Sequence, residues 1–165
     1  MKNLLNCHTK GLHSFPISFD FGLYKRVFYA AEYHNLYKPF EIAIHPHHVD
    51  IKITVLKGEL YNLIYELNPE GQTVNTYLWN SFILNGSGGF EYQRKDKIKL
   101  TSKIKYGVGQ SVYMKSNELH TVYVKQGEIC VWLIEEFNPS FVYSPVNYSI
   151  HHLEDWKSDG LYQEC

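Results

Sequence analysis

The sequence predicts an all-β protein, and three observations carry that expectation. Aromatic residues make up 16% of the chain, with 14 Tyr and 9 Phe, a stock of side chains that favours strands over helices. Apolar and β-branched residues recur in short runs bounded by Gly, Asn, Asp and Pro. No stretch keeps the 3.6-residue periodicity of a long amphipathic helix. At 165 residues the chain fits a single domain, residues 1–165, and can bury roughly 70% of the surface it exposes when unfolded.

Taken in order, the first twenty residues scatter His8, Gly11, His13 and Pro16 among apolar positions. They read as a loosely held arm whose end adds a strand, with His8 and His13 at the surface. Residues 24–32 form a strand around Val27, Phe28 and Tyr29, and 34–39 a loop. Strands are expected at 40–45, 51–56 and 59–67, the last entered through a turn at Lys57-Gly58. Asn68-Pro69-Glu70-Gly71 has the composition of a reversing turn. The Gly-rich residues 85–89 lack the Lys-Ser/Thr ending of a phosphate loop, and no helix follows, so they are expected to turn a hairpin. Residues 95–105 carry five lysines with apolar residues between most of them, the pattern of a half-exposed edge strand. Strands at 111–114, 120–124 and 129–134 follow, the last being the most apolar. Residues 137–145 are irregular, and 149–156 make one short helix.

The charge balance argues against several partners, a local basic patch on the lysines of 95–105 being the alternative. Sixteen basic and 17 acidic residues leave a net charge of −1, so no global field draws the protein to nucleic acid or to anionic lipid. No run approaches the ~20 apolar residues of a membrane span, and the first residues lack the apolar core of a signal peptide. Cys7, Cys130 and Cys165 are odd in number and widely spaced, with neither a C-x-x-C pair nor a disulfide framework. They suit a reducing compartment, and the cytoplasm is expected.

The chemistry gathers at histidines. His45-Pro46-His47-His48 ends one apolar run and precedes another. On an extended strand, side chains alternate with a period of two, so His45 and His47 share a face and His48 takes the other, exposed one. A bulge after Pro46 would put His48 in place of His47. His120 opens a second apolar strand and is the candidate third partner. Three neutral imidazoles at one point make a divalent-metal site, for which iron, nickel, zinc and copper are all chemically suited. Nothing else competes for the chemistry. There is no G-x-S-x-G and no H-E-x-x-H, no cysteine stands clearly beside a histidine, and Glu135 and Glu136 alternate faces. His151 and His152 fall in the C-terminal segment and are expected at the surface, a second metal site there being the alternative.

The two histidine segments resemble the two motifs of the cupin superfamily. His45-x-His47 is followed eleven positions later by Gly58 (58 − 47), as in the shorter form of the first motif, and Gly109 to His120 keeps the spacing of the second. Three positions depart from the pattern: Ile51 stands where the first motif has Glu, Lys115 where the second has Pro, and Asn117 where the second has Gly. Asn tolerates a left-handed turn better than most residues, which makes that exchange mild. The resemblance implies a single antiparallel, jelly-roll-like cupin β-barrel over about residues 19–137, with an N-terminal arm (1–18) and a C-terminal tail (138–165). It also implies that His45, His47 and His120 meet inside one end of the barrel, as metal ligands and as the catalytic centre.

An H-x-H motif without its Glu is similar to the three-histidine pattern of thiol-dioxygenase cupins, which hold iron(II). That likeness implies an iron-dependent dioxygenase acting on a small molecule, with nickel or zinc as alternative metals. It is equally the pattern of a cupin that has lost its metal. A second likeness stands beside it. Tyr24-Lys25-Arg26-Val27-Phe28-Tyr29 resembles a segment of the sugar-nucleotide ketoisomerases, cupins that use histidine and tyrosine without metal, and it implies that Arg26 holds phosphate. A third reading is a cupin that binds a nucleotide or sugar without turnover. Arg26, Tyr61 and Tyr113 are the candidate substrate-binding residues, while Tyr65 and Tyr123 are expected in the core or at its rim. Asp50 is expected in a turn, its alternative being to replace the missing carboxylate ligand. The resemblance further implies a homodimer, formed through residues 19–33 or the N-terminal arm.

Overall fold

The structure is a computed structural model that describes residues 11–31, 43–80, 89–139 and 146–150. All its regular elements are strands: β1 (Leu12–Asp20), β2 (Leu23–Ala30), β3 (Val49–Lys57), β4 (Leu60–Asn80), β5 (Gly89–Tyr106), β6 (Ser111–Met114), β7 (Leu119–Tyr123), β8 (Cys130–Pro139) and β9 (Val146–Ser149). They form two antiparallel sheets. One has the order β1-β2-β8-β3-β6; the other runs β5-β4-β7, with β9 also paired to β4. This is the all-β, antiparallel architecture expected from the sequence. Among the described residues the two sheets face each other as a sandwich and are not closed by strand pairing at their edges. β1 and β6 end the first sheet, and β5 and β7 end the hydrogen-bonded path of the second. No described helix is long and apolar enough to cross a membrane.

Alternation along each strand builds the core. In β3, Val49, Ile51, Ile53 and Val55 are all buried and face inward. Across the ladder, Val55 pairs with Trp132 of β8 and Ile51 with Met114 of β6. These residues pack with Leu12, Ala30 and Cys130 of their own sheet and with Leu60 and Val124 from the other side of the sandwich. The opposite face of β4 carries a second cluster, in which Leu63 and Tyr65 meet Ile44, Val74, Ile98 and Tyr148. Gly58 turns β3 into β4 at φ +77°, and a Cβ there would lie 2.3 Å from the Ile129 carbonyl oxygen, so both backbone angle and space demand glycine. Asn117, at the motif position usually held by glycine, needs no such freedom. It is absent from the positive-φ residues, and the turn closes through the Glu118 N–H donating to the Lys115 carbonyl at 3.1 Å.

Several boundaries differ from the sequence expectation. Residues 68–71 do not reverse the chain. Leu67 and Gln72 both pair with Ile98, so these four residues loop out of a strand that continues beyond them. The loop is tied by Asn68 Oδ1, which accepts from the Glu70 N–H at 2.9 Å, and by Lys97 Nζ, which donates to the Pro69 carbonyl at 3.1 Å. The lysine-rich stretch is an edge strand as expected, within β5. β8 runs on to Pro139, into residues expected to be irregular. Ser149 ends a strand, where the sequence suggested the start of a helix. The end of the N-terminal arm does add a strand, β1. The strand expected at 40–45 is reduced to single bridges from Ile44 to Tyr148 and from His45 to His120, its residues 40–42 lying outside the described residues. Also outside them are Cys7, His8, the 34–39 loop, Gly-rich positions 85–88, residues 140–145, the proposed helix beyond 150, His151, His152 and Cys165.

Candidate metal centre

His120 is placed by regular structure. It sits in β7 opposite Ile64 of β4, and residues 120 and 122 share one face with Asn62. Its side chain is buried, at 4% exposure. Asn62 Oδ1 accepts a hydrogen bond from His120 Nδ1 at 2.8 Å, which puts the ring proton on Nδ1 and leaves the Nε2 lone pair to point into the sandwich. Asn62 is held in turn, its amide donating to Met114 Sδ at 3.4 Å.

His45 and His47 come from residues that lie between strands. His45 exchanges backbone hydrogen bonds with His120, at 3.1 and 3.2 Å, and its Nδ1 donates to the Ala43 carbonyl at 2.7 Å, leaving Nε2 as its acceptor nitrogen. The His47 N–H donates to the Ser116 carbonyl at 2.9 Å. Ser116 is anchored by Asp50, whose carboxylate accepts from the Ser116 N–H at 2.9 Å, from Lys115 Nζ at 2.8 Å and from Asn138 Nδ2 at 3.4 Å. Lys115, at the motif position usually held by proline, therefore has a partner of its own.

The three rings converge. Their centroids are 5.0 Å (His45 to His47), 5.5 Å (His45 to His120) and 4.9 Å (His47 to His120) apart, and one nitrogen from each lies within 4.8 Å of the others. His47 Nε2 and His120 Nε2 are 2.8 Å apart, a hydrogen bond that His47 donates while His120 carries its proton on Nδ1. Two imidazole nitrogens at right angles on one ion, each bonded at ~2.1 Å, would be about 3.0 Å apart, so a metal would need a small separation of this pair and the His47 proton moved to Nδ1. Burial pushes the His120 pKa down to about 3, with the nearby His45 adding to it, and burial also lowers that of His45, against the hydrogen bond to Ala43. Both rings are therefore neutral at pH 7, which is the ligand form. Among the described residues, no carboxylate or thiol joins the group. Ile51, at the usual Glu position, is core at 1% exposure, and the Asp50 carboxylate is spent on Lys115 and Ser116.

Beside the rings lies a cavity of about 70 Å³, walled by Leu12, Phe28, Ile53, Val122, Trp132 and Ile134, with Thr121 next to His120. A three-nitrogen centre facing an apolar hollow can hold a metal and present its remaining positions to a small molecule.

The other candidates lie elsewhere. Tyr61 pairs with Tyr123 on the opposite face of the β4–β7 ladder from His120. Their rings meet edge to face at 5.2 Å under Lys103 Nζ, 5.1 and 4.8 Å from the two centroids. Tyr113 is 67% exposed, with its ring 6.0 Å from Phe137 and 5.6 Å from Lys52 Nζ. Period-two alternation puts both tyrosines on the wrong side of their sheets. Arg26 pairs with Ile134, which lines the cavity, but its own Nε donates to Ser14 Oγ at 2.7 Å and its guanidinium lies 5.4 Å from the Tyr24 ring. Tyr65 lies in the second core cluster, and burial raises its pKa to about 12. His48 is exposed while His47 joins the cluster, so the bulged alternative is not adopted. Asn62 escaped sequence reasoning, although a polar residue two places from Leu60 in an alternating apolar strand was a signal for it.

No family model matches the chain, and no curated protein matches it. Among solved structures it is similar to the hydroxypropylphosphonic acid epoxidase from S. wedmorenis, at TM-score 0.49 and 11% identity over 81% of this chain and 54% of that one. The chain thus spans about half the length of the epoxidase. It is similar also to the polyketide cyclase RemF from Streptomyces resistomycificus, at TM-score 0.46 and 14% identity over 91% of this chain and 78% of that one.

Proposed function

We propose that His45, His47 and His120 together hold one divalent metal, and that the protein uses it on a small molecule admitted to the adjoining cavity. The observation that supports this is the convergence of the three rings. One nitrogen of each lies within 4.8 Å of the others, and His45 and His120 each use Nδ1 on a protein acceptor. Iron(II) is favoured, with nickel and zinc as alternatives, because three neutral nitrogens leave up to three positions on an octahedral ion. When bound, iron(II) would supply dioxygen chemistry, and the reading is a dioxygenase. The chain's own residues have separate tasks. Asn62 and Ala43 fix ring orientation, Asp50 and Ser116 hold the His47 backbone, and Phe28, Ile53 and Trp132 keep water from the reacting end of the substrate. We place the protein in the cytoplasm as a homodimer.

A metal-free isomerase would need a tyrosine within reach of a histidine. Among the described residues no tyrosine lines the cavity, which counts against it. The test is elemental analysis of purified protein and of His45→Ala, His47→Ala and His120→Ala, each checked for folding. Stoichiometric metal in the wild type and loss of most of it in each variant is expected. Wild-type protein that stays metal-free after incubation with iron, nickel or zinc overturns the proposal in favour of a binding protein.

A further inference from the structure

The cavity beside the histidines also selects its occupant. Resting on the metal-centre reading above, we infer that it takes the reacting end of a small, uncharged, mainly apolar molecule, a short alkyl body carrying one neutral donor atom that meets the histidines. The wall supports this first. Phe28 and Trp132 are paired across β2 and β8 with rings stacked at 5.6 Å and 8°, and Ile53, Val122 and Ile134 extend that apolar surface. Trp132 and Ile53 are each 1% exposed, so the wall is fixed by core packing.

Charge gives the second argument. Among the described residues, no carboxylate, ammonium or guanidinium lines the cavity. Asp50 is turned to Lys115 and Ser116, and Arg26 Nε is bonded to Ser14. A carboxylate or ammonium carried in by a substrate would lose its water and gain no counter-charge from the wall. A zwitterion such as an amino-acid thiol is thereby disfavoured.

Size gives the third. A cavity of about 70 Å³ is about half the ~150 Å³ that accepts benzene in an apolar core, which leaves room for about four non-hydrogen atoms.

The experiment titrates the full chain with three thiols of similar size: neutral 1-propanethiol, cationic cysteamine and anionic mercaptoacetate. The readout is displacement of the NMR resonances of the Trp132 indole N–H and the Ile53 methyls. Protein as purified, with its metal content measured, is compared with the same sample after chelation. The chelated sample decides, since no ion is then present to recruit the charged groups. 1-Propanethiol is expected to give saturable shifts at both residues, and the two charged thiols to bind at least about 30-fold more weakly, equivalent to about 2 kcal/mol. Equal or tighter binding of either charged thiol overturns the inference, as does the absence of saturable shifts with 1-propanethiol. Val122→Phe fills the hollow and should remove the response; Ile134→Phe serves if circular dichroism shows the first variant unfolded. The two readings fail separately. Protein that binds 1-propanethiol but never retains metal sinks the metal centre alone, and metal-loaded protein that ignores 1-propanethiol sinks the cavity assignment alone.

Discussion

His120 and the His45–His47 pair reach the same point by different means. His120 belongs to a ladder, with β4 opposite it, its ring at 4% exposure and its orientation set by a buried asparagine. His45 and His47 lie outside every strand, joined to the rest by the bridges at Ile44 and His45 and by the bond from His47 to Ser116, which leads back to Asp50. Shifting His120 would disturb core packing, whereas shifting His47 would break a few hydrogen bonds. In the proposed metal centre, one histidine is held by a ladder and two by segments outside the strands, and segments with few ladder contacts are the ones that open at low cost.

The sharpest way to break the contrast is Asn62→Leu. It leaves the buried His120 Nδ1 proton unsatisfied and the ring free to turn, so metal affinity should fall about 10- to 100-fold and stability by about 1–3 kcal/mol. Metal titration and urea unfolding check both; unchanged affinity would mean that packing alone orients His120.

Asp50→Asn probes the other side. It should weaken metal binding by less than Asn62→Leu, with little change at the Trp132 indole resonance. The same variant carries a pH signature. The Lys115 hydrogen bond, then the Ser116 N–H, hold the Asp50 carboxyl below its ordinary value of 3.8, while burial works against them. A carboxyl whose folded pKa is depressed contributes stability that is complete above the unfolded value and disappears as pH falls through the folded one. Wild-type stability should therefore drop at and below about pH 4, and the curve for Asp50→Asn should lack that component.

A double-mutant cycle sharpens the comparison further. If the two supports are independent, the effects of Asn62→Leu and Asp50→Asn on urea stability add within about 0.5 kcal/mol. A larger coupling would show that the two halves of the centre form one unit. The smallest effect belongs to His48→Ala, an exposed position that should leave metal content unchanged by elemental analysis.

The sequence made the three histidines legible because their spacing coincides with glycines that turn the chain from one sheet to the other, and Gly58 and Gly109 do adopt positive φ. Strand content was legible from aromatic and β-branched runs. Closure of the sheets was not, since alternation tells which face of a strand is buried but not whether the outer strands join. Tyr61 and Tyr113 illustrate the same limit. Each sits in a correctly expected strand, yet a single step of register decides whether a tyrosine faces the cavity or Lys103 and Lys52. Asn62 is a different case, because its importance lies in a partner 58 residues away that only the fold brings near.

The four residues that leave β4 at 68–71 carry a consequence for how this chain can change length. Since Leu67 and Gln72 face the same Ile98, the ladder resumes where it stopped, and the strand behaves as two segments spliced across a gap. Residues added at Asn68 to Glu70 would enlarge the gap without moving the pairing on either side, and doubling a flexible loop costs only about 0.6 kcal/mol. The splice is thus a natural site for insertions, where a lineage could gain a binding segment, or an experimenter a fluorescent tag, while the histidine centre keeps its geometry.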